Sequence, residues 1–435
     1  MNRWLLSLAL LLTTSSTFLC AQAVPSTSAN SVDQLRFVVY LSRHGVRSPT
    51  SRPQQFNNYS TAPWPSWDVP PGYLTAHGYH LMELFGAYDR LLLAQQGLLS
   101  ATGCADAGQV RIVADSDQRT RETGNAIAAG LMPGCGLSAR ALPEGTNDPL
   151  FHFHPGKSAD PALAVAAIAG RIGGDPGNLT AAYRAQLTAL DTILATCGSA
   201  QAQHQTRVSL FDIPATLSAG NGDHLAELHG PLSTAATLTE NLLLEYTQGM
   251  DAANVGWGCV DGAKLRSLME LHTSAADITE RTPEIARVQA SNLLDQILRA
   301  MQQAVTTKPV VGAPDKPADR VLFLVGHDTN ITNVAGVLNL TWIEDGHRDD
   351  TPPGGALVFE LWHNRKTGRD SVRTYFTVQT LEQMRSGAAL TLDQPPLRIP
   401  VFIPGCSQAD LSCAWPAFAQ TIQQRIGPRY RLAAK

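Results

Sequence analysis

Three stretches of this sequence set arginine, histidine and aspartate directly after a short apolar run. In LSRHGVRSPT, residues 41–50, Arg43, His44 and Arg47 follow the run ending at Leu41. VRIVAD, residues 110–115, is followed by Ser116-Asp117-Gln118-Arg119-Thr120-Arg121, and VLFLVG, residues 321–326, ends in His327-Asp328-Thr329-Asn330. A guanidinium is a planar fork that matches phosphate oxygens in pairs, so two or three arginines converging on one point describe a phosphate cradle. Neutral imidazole is a competent nucleophile. Arginines beside His44 would lower its pKa by like-charge repulsion and keep it unprotonated in mildly acidic water. An aspartate such as Asp328 can protonate an alcohol oxygen that leaves poorly as an alkoxide. Each stretch alone reads as solvated loop charge, but three of them meeting at one place describe a phosphatase. That meeting requires the three runs to be parallel strands of one sheet, whose carboxyl ends gather ligands.

The runs have the character of buried strands: they are short, dense in β-branched and aromatic residues, and end in polar or glycine residues. Leu35 to Leu41, Val110 to Ala114, Val321 to Val325, Ala356 to Trp362 and Tyr375 to Thr380 are the clearest. Thr75 caps a helix expected to run to about Leu93. Thr282-Pro283-Glu284 opens another, to about Met301, with Ile285, Val288, Leu293, Ile297 and Met301 as its buried stripe. Helical runs fill the middle of the chain, at Ala162 to Arg171, Leu179 to Leu194 and Ser233 to Gln248, and residues 306–319 read as a loop back into the sheet. The expected architecture is α/β, a mostly parallel sheet flanked by helices, with a mainly helical second domain inserted. Residues 24–150 and 311–435 would form the α/β domain and residues 151–310 the insertion.

Of 435 residues 44% are hydrophobic, enough to core two domains or one with a large insertion. A formal net charge of −4 with no basic stripe argues against nucleic acid as a partner. Arg3, the apolar Trp4 to Leu12 and Ala21-Gln22-Ala23 form an export signal with a cleavage site near Ala23. The apolar run falls short of the roughly 20 residues of a spanning helix, and Leu19 is large for the position before a lipidated Cys20. A protein of the periplasm, without membrane attachment and acting as a monomer, is expected. Cysteine usage agrees: Cys104, Cys135, Cys197, Cys259, Cys406 and Cys413 are an even set for an oxidising compartment, with no C-x-x-C pair to suggest zinc. Pairing of neighbours along the chain is expected.

Arg43-His44-Gly45-x-Arg47-x-Pro49, with a distant His327-Asp328 after its own apolar run, resembles the histidine acid phosphatases, the family of bacterial periplasmic phytases and glucose-1-phosphatases. The resemblance extends through DSDQRTRETG, YTQGMDAANVGWG, RTPEIAR and TPPGGALVFE, covering essentially the whole chain after the leader. RHG alone would also admit phosphoglycerate mutases; the distant HD narrows it. The resemblance implies that His44 is the nucleophile that becomes phosphohistidine and Asp328 the general acid, with Arg43, Arg47, Arg119 and His327 holding the phosphate. Arg119 is taken over Arg121 because it follows Asp117-Gln118 as the family's third arginine does. Thr50 and Glu240, in LTENLLLEYTQGM, are the further substrate contacts implied, Glu240 overhanging the pocket; its alternative is an ordinary solvent-facing helix residue. No cofactor and no metal are implied, since three guanidiniums supply the positive charge a metal would bring.

The small-molecule phosphate monoester is less sharply marked. HDTN at 327–330 and Thr50 resemble the phytase branch, acting on myo-inositol hexakisphosphate. Ser51, where enteric phytases commonly carry lysine, and WPSWDVPPGYLT at 64–75 resemble the sugar-phosphatase branch. A periplasmic phosphate-ester binding protein without turnover is the reading from another class, and the presence of both His44 and Asp328 speaks against it. His152 and His154 alternate as a metal pair on a strand would, but two ligands are too few and a surface loop is expected. His224 and His229 take no role. Asn330-Ile331-Thr332 formally permits glycosylation, yet a glycan there would block the pocket.

Overall fold

The computed structural model describes residues 32–154, 156, 159–198, 207–221 and 224–432, so the export signal read at residues 1–23 lies outside the described residues. Seven strands form the main sheet: β1 (Asp33–Arg43), β2 (Val110–Ala114), β3 (Val321–Gly326), β4 (Ala356–Asn364), β5 (Arg369–Val378), β6 (Leu397–Pro400) and β7 (Ser412–Ala414). Their order is β6–β5–β4–β1–β3–β2, with β7 also on β5. The three strands that carry the polar cargoes are parallel, β3 lying between β1 and β2. The rest of the sheet is antiparallel. The sheet is therefore mixed: the connection between β4 and β5 is too short for a parallel crossover and folds back as a hairpin.

Register brings the cargoes level. Arg43 stands opposite Gly326 and Ala114 opposite Val325. One step further, the His44 amide donates to the Gly326 carbonyl at 3.0 Å and the Asp115 amide to the Val325 carbonyl at 2.9 Å. The runs read as continuous apolar stretches because both faces of the sheet are covered. Phe37, Val39, Leu41, Leu322 and Leu324 pack on helices α8 (Pro283–Thr306), α9 (Asp328–Leu338) and α10 (Trp415–Arg425). Val38, Tyr40, Val321, Phe323 and Val325 pack on α1 (Ala76–Gln95) and α2 (Gln118–Leu131).

Helices α3 (Pro161–Arg171), α4 (Gly177–Ala182), α5 (Arg184–Thr196), α6 (Pro231–Thr247) and α7 (Gly262–Thr279) build a separate apolar cluster around Ile168, Leu187, Leu238, Leu242 and Leu265. The helix expected over 179–194 is thus two, broken at Tyr183. Helix α8 is shared, Ile285 and Val288 facing the helical cluster while Leu293, Ile297 and Met301 lie on the sheet. Its residue Thr282 does not cap it; the hydroxyl donates instead to the Ile278 carbonyl at 2.6 Å. The disulfides join neighbours as expected: Cys104–Cys135, Cys197–Cys259 and Cys406–Cys413. No helix among the described residues is long and apolar enough to cross a membrane.

The loop after β1 is seated on the first turn of α1. Thr75 caps that helix, its hydroxyl accepting from the Gly78 amide at 2.9 Å while its own amide donates to the Val46 carbonyl at 3.1 Å. A Cβ on Gly78 would stand 2.0 Å from that same carbonyl oxygen. The missing side chain is what lets the Arg47 loop lie on the helix. Gly78→Ala should therefore cost about 1–3 kcal/mol by overpacking, read as a lower urea midpoint. Gly170→Ala, in α3, where an added Cβ meets nothing within 4 Å, should lose nothing; equal midpoints for the two variants would show that the Val46 approach does not constrain the fold.

Candidate active site

His44 leaves β1 into a buried position, 2% exposed, with its Nδ1 2.9 Å from the Gly45 carbonyl oxygen. A carbonyl can only accept, so Nδ1 carries the hydrogen and the neutral ring keeps its lone pair on Nε2. Burial, and then the charges of Arg119, Arg47 and Arg43, hold the His44 pKa well below the ordinary histidine value. The imidazole accordingly stays neutral in acid. The Gly45 amide is fixed by Thr123 Oγ1 of α2 at 2.9 Å.

Arg43 is wholly buried. Its guanidinium donates to the Thr351 carbonyl at 2.5 Å, is hydrogen-bonded to Glu240 Oε1, and lies 3.1 Å from Asp328 Oδ2. Arg47 reaches the same Glu240 oxygen at 3.5 Å and donates to the Ser48 carbonyl at 3.0 Å. Burial brings its pKa down to about 10, which leaves it charged at any pH of interest. Arg119, at the start of α2, lies 2.5 Å from Asp117 Oδ2 and donates toward His327 Nδ1 at 3.4 Å. Arg121 turns away to the exposed Glu144, at 3.8 Å. The Nε–H groups of Arg43, Arg47 and Arg119 are all buried and meet no acceptor among the described residues. Three cationic donors without acceptors are what an oxyanion would satisfy.

His327 caps α9 as the strand ends, and its ring stands edge-on to His44 with centroids 5.6 Å apart. Because Arg119 can only donate, His327 Nδ1 accepts and its Nε2 donates to Asp115 Oδ2, 2.6 Å away. His152 donates to the same Asp115 oxygen at 2.9 Å. Burial works against the Asp115 charge, but these two donors hold its carboxyl well below the usual range. His152 is therefore not a surface loop residue without a role; the sequence pattern missed it because its partner lies on a different strand. Asn330 holds the other end of this loop: its side chain accepts from the His327 amide at 2.8 Å and donates to the Phe151 carbonyl at 2.7 Å. At 6% exposure it is structural, as the argument against a glycan requires.

Asp328, at the first position of α9, is an ionised partner of Arg43. Burial opposes its charge, yet Arg43, His272 and Arg47 hold its carboxyl well below the usual range. Glu240 does not face solvent. Helix α6 is buried on almost every side, and Glu240, 7% exposed, pairs with Arg43 and Arg47 and lies 3.8 Å from His272 Nε2. Thr50 is exposed beside Gly72, against which the Arg119 guanidinium also lies. Asp115, His152, His272 and Glu280 are the additions that no sequence motif marked. Glu280, bonded to Thr332 Oγ1, is pushed up to about 7 by burial and by the charge of Asp328.

The arrangement thus holds a neutral imidazole with a free Nε2 beside three guanidiniums and one carboxyl. Residues 34–377 match the family model of the histidine phosphatase superfamily, branch 2. The chain is 35% identical over 432 residues to phytase AppA of Escherichia coli, covering 96% of each. It is 30% identical over 395 residues to a glucose-1-phosphatase of Salmonella typhimurium, covering 89% of this chain and 91% of the relative. Among solved structures, the Hafnia alvei phytase in complex with tartrate superposes with a TM-score of 0.83 at 37% identity, over 93% of this chain and 100% of that one. These matches extend across both the strands that carry the arginines and the helices that cover them, and the chain belongs to the histidine phosphatase superfamily, as a phytase-like histidine acid phosphatase.

Proposed function

We propose that this chain hydrolyses phosphate monoesters through a phosphohistidine on His44, with myo-inositol hexakisphosphate as its substrate. The observation that carries the reading is the set of three buried Nε–H groups, of Arg43, Arg47 and Arg119, that lack acceptors around the free His44 Nε2. A phosphoryl group seated there takes its oxygens' partners from these guanidiniums, and His327, whose Nδ1 accepts from Arg119, would hold the phosphate through that guanidinium. Nε2 attacks phosphorus, the P–N bond forms as the P–O bond breaks, and the charge growing on the ring is met by the Nδ1–H bond to Gly45. Asp328 gives its proton to the departing alkoxide, then takes one from the water that releases inorganic phosphate. Thr50 would meet substrate only at the outer rim, and Glu240 would act by holding Arg43 and Arg47.

The proton on Asp328 has a definite source in this scheme. Sequence reasoning expects a protonated aspartate awaiting substrate, whereas the carboxyl is ionised against Arg43. A phosphate monoester in acid is a monoanion, its second pKa being about 6. The guanidiniums favour the dianion, so the substrate's own proton moves to Asp328 as Arg43 turns to the phosphate. Acid conditions are thereby favoured through the substrate as well as the enzyme.

A second reading, glucose-1-phosphatase or broad sugar-phosphate activity, has support in Ser51 and in the relatives of that name. The organisation into 24–150 with 311–435 and a helical insertion at 151–310 belongs to the same proposal, supported by the separate helical cluster, with α8 shared. Residence in the periplasm is supported by the three disulfides, and cleavage near Ala23 and a monomeric state belong to the same proposal.

Wild-type protein quenched in alkali during turnover of labelled myo-inositol hexakisphosphate should carry a base-stable phosphoryl group that is lost on later acidification and is absent from folded but inactive His44→Ala. kcat/KM should be higher for the inositol phosphate than for glucose 1-phosphate; the reverse order would assign the substrate to the second reading, and an active His44→Ala would overturn the mechanism. Asp328→Asn should lower kcat/KM for an alkyl phosphate by about 10² to 10⁴ and that for p-nitrophenyl phosphate far less, because p-nitrophenolate leaves with little help. Equal losses would remove Asp328 from the acid role. Arg119→Gln tests the electrostatics: burial of His44 persists but one cation is gone, so its pKa rises. The acid limb of kcat/KM, which reports the free enzyme, should then move to higher pH, and an unmoved limb would show that Arg119 does not set the charge state of His44.

A further inference from the structure

The short hairpin of Ile343–Glu344 and His347–Arg348 is turned inside out. Asp345 and Gly346 both have positive φ, 40° and 87°, which makes the tight two-residue turn that pairs Glu344 directly with His347. Paired residues share a face of the ribbon. The face that carries Glu344 and His347 is buried, with exposures of 4% and 9%, while apolar Ile343 on the other face is 60% exposed. Burying a carboxylate and an imidazole in preference to an isoleucine costs free energy unless something binds them.

Asp350, 2% exposed, completes the group: one ligand atom from each of Glu344, His347 and Asp350 lies within 4.8 Å of the others. Asp350 Oδ1 accepts the Thr351 amide at 2.8 Å. Among the described residues, the Glu344 carboxylate receives no hydrogen bond and no ion pair, and no bond joins the three side chains to one another. Arg266, the nearest arginine on α7, is committed to Asp345 at 2.9 Å and Glu382 at 2.7 Å. His347 Nε2 donates to the Arg266 carbonyl, so Nδ1 keeps its lone pair. An imidazole whose far nitrogen is pinned by a backbone carbonyl is the usual arrangement of a metal-binding histidine. The spacing is too long for direct bonds among the three and suits one ion among them, at about 2.0–2.2 Å from each donor after small side-chain rotations. A cavity of about 1040 Å³, lined by Arg266, Asp277, Arg281, His347 and Arg348, gives access from solvent.

We propose that Glu344, His347 and Asp350 bind one divalent transition-metal ion, with zinc(II) matched to one imidazole and two carboxylates and water completing the shell. The ion neutralises the buried acids and fixes the segment leading to Thr351, whose carbonyl holds Arg43. It is a structural site, separate from the chemistry at His44.

The test is calorimetric titration of the EDTA-stripped and dialysed protein with zinc(II) at pH 7. The expected result is one saturable equivalent with a raised melting temperature, and affinity at least 10-fold weaker in Glu344→Gln, His347→Asn and Asp350→Asn. Asp345→Asn, in the turn but outside the donor set, should bind as wild type. Retained turnover of p-nitrophenyl phosphate by Glu344→Gln would establish that this variant is folded. Should the variants fail to fold, cobalt(II) in the wild type gives the answer by paramagnetically shifted imidazole signals. Shifts at His347 support the site; shifts confined to His152 and His327, no saturable binding, or undiminished affinity in the three variants would overturn it, leaving the acids neutralised by a shared proton.

Discussion

Burying the Arg43 guanidinium without any exposure to water is the constraint on which the rest of the structure turns. A charge so placed carries a penalty of several kcal/mol unless its partners are complete. Its partners come from three places: Glu240 from the middle of α6, Asp328 from the start of α9, and the Thr351 carbonyl from the segment before β4. The helical layer, the parallel strands and the loop after the hairpin must therefore all dock correctly before Arg43 is stable where β1 puts it. Removing one partner of such a group typically costs about 3–5 kcal/mol, so the network specifies how the layers sit on one another as well as what they bind.

The same network sets a competition that a phosphate ester enters. Glu240 and Asp328 engage guanidinium Nη groups, while the Nε–H groups of Arg43, Arg47 and Arg119 are left without acceptors among the described residues. A tetrahedral dianion offers three oxygens and two charges to those donors, more than a carboxylate brings. Asp115 works one shell further out. By accepting from both His327 and His152 on a single oxygen it fixes which nitrogen of His327 holds hydrogen, and so leaves Nδ1 able to receive Arg119.

Much of this was legible in the sequence because the strands are short and buried on both faces. Val110–Ala114 and the run from Val321 could be bounded almost to the residue, and the chemistry stands immediately after them. The antiparallel half of the sheet was less visible, since nothing in Ala356–Asn364 distinguishes a parallel from an antiparallel neighbour. The inward direction of Glu240 could not be read from periodicity, because α6 is apolar nearly all round, which erases the stripe that would tell its inner face from its outer one. Thr282 looked like a cap and is instead bonded back to Ile278. His152, His272 and Asp115 meet their partners only across the fold, and local spacing carries no trace of such contacts.

Strand β1 has its two neighbours far along the chain: Val38 lies opposite Val321 on one side and Glu360 on the other. Any N-terminal portion that ends before Val321 leaves both edges of β1 open, with its hydrogen-bonding groups unpaired. Contacts of such long range make for slow, late closure of the sheet. Assembly order is thus written into the topology: the histidine arrives first in the chain, and the pocket around it closes only when the last third has been delivered.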